Sequence, residues 1–301
     1  MTKNIFNFKN QLIALSTIAL ISYGCGGDST TNEGDEVQEE ATDPKQSQLM
    51  EIDGKVFSIP SPIQTAALIK NSGTNYNKAI LNVPANVTKY STNFKKAINL
   101  GIYGADLGYV TLFEQTQDAI SFLTAIKSLG DDLGVSSAFD MELVQRFEKN
   151  IGNQDSILAL VSDAYKSSDR YLKSTQQNDV GGLILAGGWI ESLYFATNAA
   201  KMTNNKDIIK RIGEQKTTVN NLIKLLTPYY SKSEFTGLVD SLIELDELFS
   251  KIEITYTYVK PTVDAKNKVT TINSTTSVSI TPEQLTAITE KVNKIRAELI
   301  N

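Results

Sequence analysis

Two acidic side chains stand on otherwise apolar helical stretches of the sequence. Asp106 lies in the run Gly-Ala-Asp-Leu-Gly, and Glu191 follows Trp189-Ile190 on a stretch rich in Leu, Ile, Phe and Ala. A carboxylate on an apolar face has to be paired or hydrogen-bonded, because burying an isolated charge is costly. Two such carboxyls are also the usual equipment of general acid–base catalysis.

Glu191 belongs to a stripe with polar members. Gly187, Glu191, Tyr194 and Asn198 recur at i, i+4, i+7 and i+11, which is one face of a helix. Two interpretations are open for this stripe and for Asp106. They line a ligand pocket, or they form an internal polar network that holds the helices in register. The sequence does not fix the distance between the two carboxyls.

The residue types that are missing restrict the chemistry. The 301 residues include no histidine, and Cys25 is the only cysteine. These absences exclude His-dependent triads, His-ligated zinc, axial-His haem and an intrachain disulfide. Oxygen-ligand metal sites remain possible in principle. We expect no cofactor and no metal, and any catalysis would have to use carboxylates, Lys, Tyr or Ser.

Cys25 ends an N-terminal segment that has the order of a secretory signal. Lys3 and Lys9 come first, and an apolar stretch over 12–21 follows. That stretch is about ten residues, whereas a bilayer core needs about 20. Gly24 then provides a small residue directly before Cys25.

A small residue followed by cysteine resembles the lipobox of bacterial lipoproteins, although that family usually has Leu where this chain has Ser22. The resemblance implies cleavage before Cys25 and a diacylglycerol, with palmitate-type acyl chains, on its thiol. Residues 1–24 are then a signal peptide, and the membrane is a partner through the lipid anchor. The alternative is an ordinary secretory signal with an incidental cysteine.

Acidity is concentrated just after Cys25. Residues 26–48 hold seven acidic side chains against Lys45 alone, a net charge of −6, whereas residues 49–301 hold 26 basic and 27 acidic side chains, a net charge of −1. We predict a disordered acidic tether over 25–48, because its residues bury too little apolar surface to fold. A near-neutral body without a basic block argues against nucleic-acid binding.

Residues 49–301 are predicted to form a single domain of the mainly α class. Its architecture is a multi-helix bundle of antiparallel helices with a late β-hairpin insertion at 252–280 and a C-terminal helix. A first hairpin turns at Asp53-Gly54, a helix opens at Ser61-Pro62, and the last helix opens at a capping box at Thr281. The remaining helices are predicted over 86–115, 117–134, 141–151, 154–177, 179–202, 205–227 and 232–251.

Glycine is unusually frequent in two of these helices. Gly101, Gly104 and Gly108 share one face of the first, and the second contains Gly181, Gly182, Gly187 and Gly188. Each helical glycine costs about 1 kcal/mol relative to Ala, so a gain must offset it. We expect at least one strip to pack closely on a neighbouring helix, and the two strips to face each other. Leu at Gly104 or Gly188 should then be destabilising.

Three segments resemble a group of helical lipoproteins from Bacteroidota that has no established activity. They are Ser61-Pro62, Asn-Leu-Gly-Ile-Tyr-Gly-Ala-Asp-Leu at 99–107 and Gly-Gly-Trp-Ile-Glu-Ser-Leu-Tyr at 187–194, and the resemblance covers roughly residues 55–205. No Asp follows Cys25 directly, so the inner-membrane retention signal known from enterobacteria is absent. We therefore predict an outer-membrane lipoprotein, on the periplasmic face or the cell surface.

Two functional hypotheses follow. The first is a tethered binding or assembly module with an envelope protein or a glycan as its partner. The second is a carboxylate-dependent enzyme that acts on envelope or glycan substrates through Asp106 and Glu191. We favour the first, because the sequence lacks a recognisable catalytic residue set.

Overall fold

The computed structural model describes residues 48–52, 55–59, 61–135, 141–150, 176–266 and 268–301, with isolated positions between 153 and 174. The predicted signal peptide, Cys25 and nearly all of the tether lie outside the described residues. So does most of the helix predicted over 154–177.

The described residues confirm the predicted fold class. Helices dominate, a small antiparallel ribbon comes late in the chain, and a helix ends it. The elements in chain order are β1 (Gln48–Ile52), β2 (Lys55–Ile59), α1 (Pro62–Asn71), α2 (Asn93–Leu112), α3 (Thr116–Asp132), α4 (Met141–Asn150), α5 (Asn178–Thr203), α6 (Lys206–Gly213), α7 (Lys216–Leu226), α8 (Ser233–Ser250), β3 (Glu253–Thr257), β4 (Thr262–Asp264), β5 (Val269–Thr271), β6 (Thr275–Ser279) and α9 (Pro282–Ile300).

Helices α2 and α5 form the centre of the body. Both are apolar on nearly every side, as expected of helices that are surrounded by protein. By length and composition α5 could cross a membrane, but 89% of its most apolar window is buried inside the protein. It is therefore the core helix of this bundle.

Glycine allows α2 and α5 to approach backbone to backbone. A Cβ atom on Gly101 would lie 1.9 Å from the carbonyl oxygen of Ile184, and a Cβ atom on Gly187 would lie 2.0 Å from the carbonyl oxygen of Ile98. The contact is reciprocal, because each helix offers one glycine and the carbonyl three residues before it. The expected close packing of the two glycine strips is confirmed at Gly101 and Gly187, whereas Gly108 faces the Ile63 side chain of α1 and Gly182 faces the Leu226 side chain of α7.

Two helix boundaries differ from the sequence prediction. Helix α2 begins at Asn93 rather than near 86, because Pro84–Lys89 form a 3₁₀-helix and the Thr92 side chain caps α2 by accepting from the Lys95 N–H at 3.2 Å. The helix predicted over 205–227 is divided into α6 and α7. At the break, the Gln215 side chain accepts a hydrogen bond from the Trp189 indole at 3.0 Å, a tertiary contact that the sequence does not reveal.

Residues 253–279 form a two-tier antiparallel ribbon, which we call the β-arm. In the tier nearer the body, β3 pairs with β6 from Glu253↔Ser279 to Thr257↔Thr275, and in the outer tier β4 pairs with β5. Every residue of these four strands is exposed except Val278, which is half-buried. The predicted hairpin is thus present as an extension of the bundle.

Helix α9 is fixed at both ends. Thr281 and Gln284 form the predicted capping box at its start. At its end, Lys95 Nζ donates to the carbonyl oxygens of Glu298 at 2.6 Å and Asn301 at 3.0 Å. A cation at the carboxyl end of a helix complements the helix dipole and the unpaired carbonyls. Helix α9 is therefore held in one register against α2.

The glycine contact gives the first prediction. Gly187→Ala should destabilise the protein by about 1–3 kcal/mol or more, because the new Cβ meets a backbone carbonyl that cannot rotate away. Gly101→Ala should behave alike. The measurement is the free energy of unfolding in denaturant.

Gly237→Ala is the matched control. Gly237 lies inside α8, where an added Cβ meets no atom within 4 Å. This change should stabilise the protein by about 0.5–1 kcal/mol through helix propensity. Equal effects of the three alanines would contradict the close approach of α2 and α5.

Candidate functional site

Three helices bring one polar cluster into the centre of the bundle. Helix α2 contributes Asp106, α5 contributes Glu191 and α9 contributes Arg296. Both carboxyl side chains are fully buried, and Arg296 is 7% exposed. The close approach of α2 and α5 brings the two acids together. Helix α9 contributes the Arg296 guanidinium, which is distant from both acids in the sequence.

Arg296 and Glu191 form a bidentate ion pair. The Arg296 Nε and Nη2 atoms donate to Glu191 Oε2 and Oε1, each at 2.7 Å. Two parallel charge-assisted hydrogen bonds are the strongest arrangement that a guanidinium and a carboxylate can make. The pair joins α5 to α9 across 105 residues of sequence.

Arg296 has further partners that complete its environment. Its Nη2 atom donates to the Ile80 carbonyl oxygen at 2.9 Å, and its guanidinium lies 4.1 Å from the centroid of the Tyr194 ring. The ring face attracts the cation, an interaction that strengthens where water is excluded. Tyr194 is therefore a wall of the cluster.

Asp106 is the member of the cluster that holds a proton. If both acids were ionised, each would offer only acceptors, and both Asp106 carboxyl oxygens would lack a hydrogen-bond partner. A proton on Asp106 would provide a donor towards the neighbouring Glu191 carboxylate, whose charge raises the pKa of Asp106. The cluster then consists of a neutral acid, a carboxylate and a guanidinium, with no net charge.

The pKa shifts agree with this assignment. Burial raises the pKa of Asp106 far above its usual range, and the neighbouring Glu191 charge raises it further. Burial also raises the pKa of Glu191, but Arg296 and the hydrogen bond from Asp106 oppose that rise. Burial alone would lower the pKa of Arg296, and the Glu191 carboxylate raises it above its usual value. Asp106 is therefore the group that keeps its proton.

A second polar group lies beside the cluster at the end of α9. Asn82 Nδ2 donates to the Tyr90 hydroxyl at 2.9 Å and to Asn99 Oδ1 at 3.2 Å. Asn99 Nδ2 donates in turn to the Leu299 carbonyl at 2.9 Å. The Asn99 amide thus satisfies a carbonyl that the end of α9 leaves unpaired, and Asn82 holds the Asn99 side chain in place. They hold α9 in the register that places Arg296 opposite Glu191.

A shallow cleft elsewhere contains none of the predicted site residues. Its lining consists of Thr65, Trp189, Ser192, Leu193, Ala196, Arg211, Ile212 and Gln215, and it has room for roughly one water molecule. The polar side chains Trp189 and Gln215 already bond to each other. The cleft is too small for a substrate.

The predicted residues thus meet in part. Asp106, Glu191 and Tyr194 share the cluster, whereas the Asn198 amide is half-buried and donates to the Tyr194 carbonyl of its own helix at 2.8 Å. Arg296 was missed, although a lone arginine on the apolar stripe of α9, with Val292, Ile295 and Leu299, was a signal that could have found it.

The geometry favours the internal network over the ligand pocket. Both carboxyls are sealed from solvent, so a glycan or other substrate has no path to them in this structure. Among the residues that the structure describes, no group of three or more acidic side chains is placed to hold a metal ion. The cluster joins three helices, and both of its carboxyl groups are closed off from solvent by the described residues.

Comparison of the chain with protein-family models, with curated proteins and with solved structures finds no match. The function is therefore inferred from the contacts and burial of the described residues.

The ion pair gives the second prediction. Arg296→Met should cost about 3–5 kcal/mol of stability, because it leaves the Glu191 charge buried without a partner. Arg296→Met combined with Glu191→Met should cost much less than Arg296→Met alone, since no unpaired charge remains. Denaturant unfolding of the three proteins tests both statements.

Lys127→Met is the control for an exposed pair. Lys127 Nζ lies 2.7 Å from Asp131 Oδ2 on the surface of α3. Its loss should cost at most about 1 kcal/mol. If Arg296→Met lost no more stability than Lys127→Met, the buried Arg296–Glu191 pair would contribute no more than an exposed ion pair.

The proton on Asp106 gives the third prediction. A carboxyl whose pKa is higher in the folded state binds more protons when folded, so its contribution to stability falls as pH rises above about 4, at up to about 1.4 kcal/mol per pH unit. Asp106→Asn keeps a donor towards Glu191 and removes this loss. The stability of the Asn variant relative to the parent should therefore rise between pH 4 and neutral pH.

Asp118→Asn should show the opposite trend. Burial opposes ionisation of Asp118, but hydrogen bonds from Lys78 and Tyr76 lower its pKa below the usual value. This variant should lose stability relative to the parent as pH rises from the lowered folded-state pKa of Asp118 to about 4, and the difference should then stay constant towards neutral pH. Parallel pH profiles for Asp106→Asn and the parent would mean that Asp106 is not the protonated group.

Proposed function

We propose that the chain is a lipid-anchored protein of the bacterial cell envelope that works as a non-catalytic binding or assembly module. Its anchor is Cys25, and the chain resembles the helical lipoproteins of Bacteroidota. The observation that carries the non-catalytic assignment is the sealed Asp106–Glu191–Arg296 cluster. Asp106 and Glu191, the acid pair of the sequence, stabilise the bundle. The function is therefore assigned to the surface of the protein.

The β-arm is the part of the surface that is built for contact. Seven of the twelve large apolar side chains that are exposed among the described residues lie on it: Ile254, Tyr256, Tyr258, Val259, Val263, Val269 and Ile272. Isolated exposed apolar residues need no explanation, but a concentration of them on one projecting element marks an interaction site. A contact surface on a rigid body is the design of a binding or assembly module.

The tether fits this function. A flexible chain with the length of residues 26–48 spans about 25 Å on average, and its negative charge keeps it extended and solvated. The folded body is then free to turn near the outer membrane while Cys25 stays in the lipid. An envelope protein or a glycan, on the periplasmic face or the cell surface, is within reach of such a body.

The anchor gives the fourth prediction. Cys25→Ala should release the protein from washed membranes into the soluble envelope fraction, because no acyl chain remains to hold it. Mass measurement of the parent's N-terminal peptide should show Cys25 as the first residue with a diacylglycerol on sulfur. An unmodified Cys25, or a Cys25→Ala protein that stays in membranes after a high-salt wash, would contradict the anchor.

Co-purification from detergent-solubilised envelope tests the module. The parent should retain a reproducible protein or glycan partner. The control replaces residues 258–274 by Asn-Gly, which joins Thr257 to Thr275 through a two-residue hairpin turn and leaves the inner tier and the bundle intact. If the parent recovers no more than this shortened chain, the β-arm is not the binding element.

A further inference from the structure

The outer part of the β-arm combines positive charge with apolar side chains. Residues 258–274 contain Lys260, Lys266 and Lys268 against the single acid Asp264. The three lysines are exposed, and Tyr258, Val263 and Ile272 beside them are each more than two-thirds exposed. This part of the ribbon is a cationic, apolar surface on a chain whose net charge is −5.

The outward face of α8 has the opposite character. The helix carries five acidic side chains and no basic one, and four of the acids, Glu234, Asp240, Glu244 and Glu247, are exposed. Lys291 of neighbouring α9 forms an ion pair with Glu244, whereas Glu234, Asp240 and Glu247 make no ion pair with another described residue. Acids at i, i+3 and i+4 repel one another along a helix, so a cationic partner would stabilise this face. Ile243, 41% exposed, adds an apolar contact point among them.

The β-arm is held firmly at its root, which makes it a preformed ligand. Lys216 Nζ donates to the carbonyls of Ser250 and Ile252, each at 2.9 Å, and Gln284 Nε2 donates to the Lys251 carbonyl at 2.8 Å. Val278 packs where a Cβ on Gly213 would lie, 2.3 Å from its Cγ1 atom. A ribbon that is already ordered loses little entropy on binding.

We propose that the outer part of the β-arm of one molecule binds the acidic outward face of α8 on a second copy of this chain. Both complementary patches belong to the same sequence, so two molecules related by a two-fold axis exchange their arms and make the same contact twice. Such an interface closes on itself and yields a dimer rather than a fibre. The inference deepens the proposed assembly function by naming its partner, and it depends on that function only for its biological setting.

The α8 face is the reason to prefer a second copy over a lipid surface. An anionic membrane would also attract the three lysines, and Tyr and Val side chains tolerate its interface. A membrane contact would leave Asp240 and Glu247 of α8 without a counter-charge. Exchange of the arms accounts for both patches with one contact.

Sedimentation and mass measurements on the full chain carrying Cys25→Ala test the dimer. This substitution removes any lipid, so the result does not depend on whether Cys25 is modified. We expect a concentration-dependent dimer at low salt that weakens as salt rises. Lys266→Glu with Lys268→Glu should weaken dimerisation at least about tenfold, because the arm then carries like charge towards α8.

A charge swap distinguishes the proposed contact from general electrostatics. Asp240→Lys with Glu247→Lys on α8, two exposed acids that make no ion pair in the described residues, should by itself weaken the dimer as the arm variant does. Combining both pairs of substitutions in one chain should restore dimerisation to near the parent level, because the attraction returns with the signs exchanged. Lys201→Glu with Lys206→Glu, exposed lysines away from the arm, changes net charge equally and should leave the dimer unchanged.

Three results would overturn the proposal. One is a protein that stays monomeric at every concentration at low salt. Another is a dimer that survives both charge reversals or that the charge swap does not restore. The third is a monomer that binds anionic phosphatidylglycerol vesicles through Lys266 and Lys268, which would assign the arm to the lipid surface. None of these results depends on whether Cys25 carries a lipid. That modification is determined separately from the mass of the N-terminal peptide.

Discussion

The contact between α2 and α5 is the constraint on which the rest of the body depends. Two helices normally keep 8–10 Å between their axes, with side chains filling the space. Here the carbonyls of Ile98 and Ile184 occupy the places where side chains of Gly187 and Gly101 would be. Backbone dispersion contacts, and the Cα–H···O contacts typical of such helix interfaces, offset the propensity cost of glycine. The same approach forces the acids of both helices into one volume.

The composition of the polar cluster follows from that proximity. Two buried carboxylates in contact would repel each other and lack donors, so one must be neutral or a cation must enter. The protein uses both solutions, with a proton on Asp106 and the guanidinium of Arg296. A lysine would not replace this arginine, because its single ammonium cannot hold both Glu191 oxygens while also reaching the Ile80 carbonyl. A cluster of this kind adds less stability than a well-packed apolar core would, but it fixes which helices meet and in what register.

The sequence predicted the local features well and the tertiary ones less well. Periodicity, the Thr281 capping box and the Asp53-Gly54 turn depend on neighbouring residues, so the bundle and both hairpins were within reach. The glycine spacing also predicted a close helix contact, because few other gains offset glycine in a helix. Arg296 was not predicted as the partner of Glu191, since 105 residues separate them and nothing local joins them. The break between α6 and α7 was missed for the same reason, because it serves the Trp189–Gln215 bond.

The division between a closed body and an exposed arm is the reason for proposing the arm as the recognition surface. A core whose helices are joined by the buried Arg296–Glu191 ion pair resists opening, because separating the pair within the protein leaves a buried charge without its partner. Conformational change in α2, α5 or α9 is therefore a costly way to sense a ligand. The β-arm imposes no such cost, since its strands contribute almost nothing to the core. Exchange of its exposed side chains should cost little stability, whereas loss of one member of the ion pair leaves a buried charge unpaired, so specificity for a partner is more easily built on the arm.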